Sequence, residues 1–352
     1  MQAPSRNLQN NPKERVLVIR LSSLGDIILT EYAAELLHQN DYTVDWLVSE
    51  KFFWLLDSNP KIKALVFDRS LPRKFRRWIR FFWDLSQHSP YSYIIDYQNT
   101  PRTFLAKIIF KIGQLFTKRS TKWLTLSKPR LSRFLYIALK RLLPNPLRPK
   151  AYSDRAIELL VKNGLIDAQL NPPKDLRAVQ SKDQDLKIGI IPSSAWPAKE
   201  WPCEQYAALI DSLIQVGREV SVFGMKGSTN FDKLINRFEK AAAVSFISTH
   251  SRKDLEQALL QCEVVVGGDT GLLHVAERLG INVVMIYGPT TKSFGFGLRR
   301  SESVAIEADV WCSPCSKDGS FCFRFDHKYA CMKGISKQRV LSAVESKTSK
   351  VP

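Results

Sequence analysis

Short aliphatic runs alternate with segments of helical periodicity along most of the chain. Residues 15–21 (RVLVIRL) form the first β-branched run, and residues 27–37 carry apolar side chains at 27, 28, 33, 36 and 37, the spacing of one helix face. Further runs at 44–48, 64–67 and 93–97 (YIIDY) read as strands, and the stretch 102–143 reads as helical, basic and aromatic. After polar, turn-rich segments at 171–174 (NPPK) and 180–185 the alternation restarts. Strands are expected at 187–191, 220–223, 244–247 and 264–266, and helices at 204–216 and 253–260. Strands alternating with helices build parallel, doubly wound sheets. The expected architecture is therefore α/β, with two Rossmann-like αβα domains facing across a cleft. An N-terminal domain would span residues 1–180 and a C-terminal domain 181–352, in keeping with the length of 352 residues. No internal repeat is visible.

Residues 267–290 (GGDTGLLHVAERLGINVVMIYGPT) are the most informative stretch. They follow the apolar run Val264, Val265, Val266, place Asp269, Thr270 and Gly271 at a turn, continue with helical spacing through Leu279, and end in a strand at 283–287. A helix N-terminus in such a unit presents unpaired N–H groups above the strand ends, where a phosphate or a sugar hydroxyl can sit.

Charge divides the two halves. Residues 1–180 hold 30 Lys and Arg against 15 Asp and Glu, a net +15, whereas 181–352 hold 22 against 19, a net +3. No acid lies between Asp96 and Asp154, while thirteen basic residues do. The N-terminal half thus faces something anionic: nucleic acid, an anionic bilayer or a phosphorylated glycolipid. The first fifteen residues contain no apolar signal-like stretch, and no window reaches the ~18 apolar residues of a membrane span. The longest candidate, 104–116, is interrupted by Lys107 and Lys111. A cytoplasmic location is expected.

Three blocks, VLVIRLSSLGDIILT, AWPAKEWPCEQYAAL and GGDTGLLHVAERLGINVVMIYGPT, occur in order between residues 16 and 290, and YIIDYQNTPRT adds a weaker fourth. Together they resemble the hallmark blocks of glycosyltransferase family 9, the ADP-heptose–lipopolysaccharide heptosyltransferases. The resemblance implies the GT-B fold and inverting transfer of a heptose from a nucleotide sugar, with no metal or other cofactor required. It also implies an anionic lipopolysaccharide-core acceptor and work on the inner face of the cytoplasmic membrane.

Asp26 follows a Ser-Ser-Leu-Gly turn at the C-terminal end of the first strand. A carboxylate there either caps the following helix or accepts a proton from an attacking hydroxyl; the resemblance implies the base. Lys199, in the loop after the first strand of the second half, can hold a diphosphate as a point charge and stabilise the departing ADP. Elsewhere a lone lysine is more often solvated. Ser193 and Ser194 can donate to the same phosphates. Asp269 suits sugar hydroxyls, and Thr270 with the Gly271 N–H suits phosphate. His274 either faces the pocket or is a buried, hydrogen-bonded side chain. Gly288, Pro289 and Thr290 either touch the donor or form a plain turn.

In the basic half, Arg69, Arg73, Lys74, Arg76, Arg77 and Arg80 are interleaved with aromatic residues, a mixture that suits a bilayer interface or RNA. A solvated face over a core helix is the plain reading. Arg102, just after the 93–97 run, is the best acceptor-binding candidate. Cys312, Cys315, Cys322 and Cys331 cluster near the C-terminus with His327 among them. They read as a structural zinc site or as packed free thiols; stable disulfides do not suit a reducing compartment. The chain departs from the family pattern at Tyr32, where a Pro is frequent, at Asn99, where Gly is common, and at Lys226, near where relatives place an acidic group against the donor ribose. Two rival functions remain: a transferase using another nucleotide sugar for a different surface glycan, and a non-enzymatic RNA- or membrane-binding module.

Overall fold

The computed structural model describes residues 14–57, 59–67, 73–117, 120–140, 142, 148–167, 186–248, 252–294, 297–316 and 318–348. The expected linker segments 171–174 and 180–185, Arg69, and the side chains of Arg73 and Lys74 lie outside the described residues. The chain divides into two compact units.

The first unit comprises residues 1–22, 33–128 and 156–172. Its strands are β1 (Arg15–Ile19), β2 (Thr43–Ser49), β3 (Ile62–Phe67), β4 (Tyr91–Asp96) and β5 (Lys122–Thr125). All pair in parallel, in the order β3-β2-β1-β4-β5. The central position of β1 explains its unbroken apolar sequence: Val16 to Ile19 are fully buried, as strands covered on both faces must be. The helices in chain order begin with α1 (Leu24–Gln39), α2 (Phe53–Asp57), α3 (Arg73–His88) and α4 (Pro101–Gln114). Trp78 and Phe82 of α3 and Phe110 of α4 pack with Trp123 of β5 in the core of this unit.

The stretch 102–143, expected to be helical throughout, is instead α4, then β5, then α5 (Arg130–Leu139). The Lys122–Thr125 segment pairs with β4, and the Leu126 amide donates to the Asp96 carbonyl at 3.0 Å. Edge pairing and burial of Trp123 override a helical pattern that composition alone suggested. At the turn after β4, the Asp96 carboxylate accepts from the Gln98 and Asn99 amides, both at 2.9 Å. Asn99 has φ +43°, a left-handed conformation that Gly or Asn adopts at least cost. Asn99 therefore fits this turn with little backbone strain.

The second unit comprises residues 23–32, 129–155 and 173–352, so the first turns of α1 belong to it. Its strands are β6 (Lys187–Ile191), β7 (Val220–Gly224), β8 (Val244–Ser248), β9 (Cys262–Gly268), β10 (Asn282–Tyr287) and β11 (Val304–Glu307). They are parallel, in the order β11-β10-β9-β6-β7-β8. The chain changes winding direction between β6 and β9, the place where open α/β sheets receive ligands. Helices α6 (Tyr152–Lys162), α7 (Cys203–Gln215), α8 (Thr229–Phe238), α9 (Arg252–Leu260), α10 (Gly271–Arg278), α11 (Ala330–Lys333) and α12 (Lys337–Glu345) complete the chain, α6 being shared with the first unit. Trp201, Tyr206, Leu209, Ile210, Val266 and Ile286 anchor the core. Among the described residues no helix is long and apolar enough to cross a membrane.

Candidate active site

The site in the second unit grows from the C-terminal ends of β6 and β9. Thr270 caps α10 with an extended backbone (φ −135°, ψ 153°), and its hydroxyl makes no bond to the amides of its own helix. The first N–H groups of α10 therefore point out of the sheet edge with their partial positive charge. Asp269 is buried, and its Oδ2 atom accepts from Lys199 Nζ at 2.7 Å and from Thr290 Oγ1 at 2.8 Å. Lys199 is buried as well and sits in a short turn, residues 197–199, whose carbonyl presses on Gly268 so closely that a Cβ there would collide with it. Lys199 is thus a desolvated cation held at one oxygen of Asp269. Thr290, which sequence reasoning left between a donor contact and a plain turn, fixes that carboxylate. The signal for it was only its place at the end of β10.

Asp26 lies in the first turn of α1, where Ser23 donates to its Oδ2 atom from both the amide (3.3 Å) and the hydroxyl (2.9 Å). The start of α1 packs on the start of α10: a Cβ on Gly25 would lie 3.1 Å from the His274 ring, and one on Gly271 2.9 Å from Leu24. His274 is fully buried, and burial drives its pKa below the usual histidine value, with the Asp269 and Asp26 charges opposing that and Lys199 adding to it. The ring is neutral at pH 7. Asp26, Lys199 and Asp269 thereby all act electrostatically on His274, which gathers residues spread over 248 positions of sequence around one ring. The clamp beneath them is the ion pair of Arg278 with Glu31, with contacts of 2.5 and 2.7 Å, which no local pattern announced. Arg133 of α5 also feels the Asp26 charge; burial and the neighbouring Arg155 lower its pKa, and its guanidinium donates to the Phe294 carbonyl at 3.0 Å.

The two serines are less simply placed than their sequence suggests. Ser193 Oγ donates to Ser228 Oγ at 3.2 Å, and the Ser194 amide donates to the Glu200 carboxylate at 3.0 Å. Arg102 is exposed in the first turn of α4, in the other unit. The four C-terminal cysteines are all free thiols. Cys331 packs in the core beside Met332 and Ile335, and Cys322 Sγ accepts from the Tyr329 amide at 3.5 Å. Burial pushes the Cys315 thiol up to about 11 and the Cys331 thiol to about 12, keeping both protonated at pH 7. Among the described residues no group of three or more His, Cys, Asp or Glu is arranged to hold a metal ion, so the zinc reading finds no ligand cluster.

Two open parallel α/β sheets, one with helix N-termini and a buried cation at its switch point, define the GT-B class of glycosyltransferases. The model of glycosyltransferase family 9 (heptosyltransferase) matches residues 89–322; the chain belongs to that family and is a glycosyltransferase. Lipopolysaccharide heptosyltransferase 1 of Pseudomonas aeruginosa is 24% identical over 333 residues, covering 86% of each chain. Among solved structures, the family 9 glycosyl transferase of Veillonella parvula superposes with a TM-score of 0.71 at 20% identity, over 97% of this chain and 98% of that one. The Escherichia coli ADP-heptose lps heptosyltransferase II superposes at 0.67 and 18% identity, over 94% and 98%.

Proposed function

We propose that this glycosyltransferase moves a heptose from ADP-heptose to the anionic inner core of lipopolysaccharide at the cytoplasmic face of the inner membrane, as a peripheral enzyme. Support comes from the family, from the names of the relatives above, and from the basic first 180 residues. The single observation that carries the chemistry is the gathering of Asp26, His274 and the Lys199–Asp269 pair at the starts of α1 and α10.

Asp26 takes the proton of the acceptor hydroxyl as its oxygen attacks the anomeric carbon. One carbon–oxygen bond forms while the bond from that carbon to the β-phosphate oxygen breaks, and the electron pair leaves with ADP. Configuration inverts in a single displacement. Lys199 and the N–H groups of α10, with the Thr270 hydroxyl, Ser193 and Ser194, meet the charge growing on the diphosphate. Asp269 accepts from the sugar hydroxyls with the oxygen that Lys199 and Thr290 leave open. Neutral His274 packs under the reacting groups without adding a charge. Arg102 binds the acidic acceptor.

The test is ADP release from ADP-heptose with and without a heptose-free lipid A–Kdo acceptor. Acceptor-dependent release should fall about 10²–10⁴-fold in Asp26→Asn while ADP binding stays near wild type. Normal turnover in the variant dismisses Asp26 as the base. Release with a UDP- or GDP-sugar but not with ADP-heptose moves the enzyme to another donor.

A further inference from the structure

Helix α4 has two apolar faces and only one of them is used by the fold. Thr103, Ala106, Phe110 and Gly113 point inward and are buried. On the opposite side Phe104, Ile108, Ile112, Leu115 and Phe116 are 63%, 39%, 46%, 81% and 72% exposed. The four-residue spacing of 104, 108, 112 and 116 keeps them in one stripe. Trp83 of α3, 40% exposed, extends the stripe, its ring 6.2 Å from that of Phe116. A continuous apolar strip of this size on one surface marks an interaction site.

The charges around it are of one sign. Lys107 and Lys111 flank the stripe on α4, and Arg76, Arg77 and Arg80 are exposed on α3. The acid on the described part of α3 is Asp84, which pairs with Arg80 at 3.7 Å. No acid occurs between Asp96 and Asp154. Aromatic and aliphatic side chains set among cations are the composition of a helix lying in the headgroup region of an anionic bilayer. At 14 residues α4 is too short to span one. Half of the stripe, Ile108, Ile112 and Leu115, is aliphatic and offers no flat face for stacking on bases, which favours a bilayer over single-stranded RNA.

We infer that the outward face of α4, with the adjoining edge of α3, is the surface by which this protein lies on an anionic lipid bilayer. The inference deepens the reading of a membrane-borne acceptor and rests on it. Contact would be apolar insertion of the stripe held down by the lysines and arginines.

The test is co-sedimentation of the full chain with phosphatidylcholine vesicles, with and without phosphatidylglycerol. Binding is expected only with the anionic lipid and should weaken as salt rises. The triple variant Ile112→Gln, Leu115→Gln, Phe116→Ser should bind roughly tenfold more weakly or worse. Lys107→Gln with Lys111→Gln should lose roughly 25-fold, about fivefold per charge. Both variants should keep wild-type melting temperature and wild-type transfer to a deacylated, water-soluble acceptor. Wild-type binding by the triple variant, absence of vesicle binding by the wild type, or RNA binding by this face in place of vesicles would overturn the assignment. Vesicle binding lost in the variants, with no heptose transfer by any form of the protein, keeps the surface and sinks the proposed reaction instead.

Discussion

Arg278 and Glu31 are 1% and 0% exposed, and the guanidinium meets the carboxylate through Nε at 2.5 Å and Nη2 at 2.7 Å. Burial alone would lower the Arg278 pKa, but the Glu31 charge and hydrogen bonds leave it raised, so the guanidinium stays protonated in the pair. Removing one side chain leaves the other buried without this counterion. Glu31→Leu should therefore destabilise by about 3–5 kcal/mol. At about 2–4 °C per kcal/mol for a unit of this size, the melting temperature falls by about 6–20 °C. Arg278→Met should cost a similar amount. The double variant removes both charges and replaces them with apolar volume, so it should recover most of the loss. Differential scanning fluorimetry on the four proteins closes the cycle. Single variants costing less than about 1 kcal/mol, or a double variant whose loss is the sum of the two, would refute the idea that this pair is a dry, coupled clamp. Because the pair joins α1 to α10, the single variants should also lower turnover in protein that remains folded, by shifting Asp26 against the start of α10.

His274 titrates below its ordinary value because it is buried, so the unfolded chain takes up a proton that the folded site refuses. Stability should consequently fall as pH drops below about 6.5, and the loss should level off once pH passes the folded pKa. Glu277, whose pKa burial raises, pulls the opposite way, but it is common to wild type and His274→Gln. Melting temperatures of the two proteins across pH 5–8 should diverge less at the acid end; parallel curves contradict a buried neutral imidazole. Gly268→Ala places a methyl group against the Lys199 carbonyl, so the 197–199 turn must move. Donor affinity measured by calorimetry should drop roughly tenfold or more while the far-ultraviolet spectrum stays native, and unchanged affinity would remove that turn from the donor site. Lys199→Ala leaves Asp269 buried beside Thr290 without its cation. Weaker ADP binding together with lower stability is expected, and normal values of both would place Lys199 outside the site.

Strands at the centre of each sheet were legible because burial on both faces demands unbroken aliphatic runs. The expected 187–191 coincides with β6 residue for residue, and β9, β10 and α10 lie where the 264–287 pattern put them. Edge strands were legible only in part: β3 and β8 carry runs at 64–67 and 244–247 that read as strands, whereas β5 interrupts a helical-looking stretch and β11 went unnoticed, since these two short segments take their identity from a neighbouring strand more than from their own residues. For the site, the sequence determined the residue types and the turns that carry them: Asp26 after a Ser-Ser-Leu-Gly turn, Lys199 after β6, and Asp269 to Gly271 at the head of α10. Tertiary structure alone decided that Asp269 is shared by Lys199 and Thr290, that His274 is fully buried and neutral, and that Glu31 and Arg278 close on each other across 247 positions. Those facts depend on desolvation and on contacts between segments far apart in the chain, and neither is encoded in any local pattern.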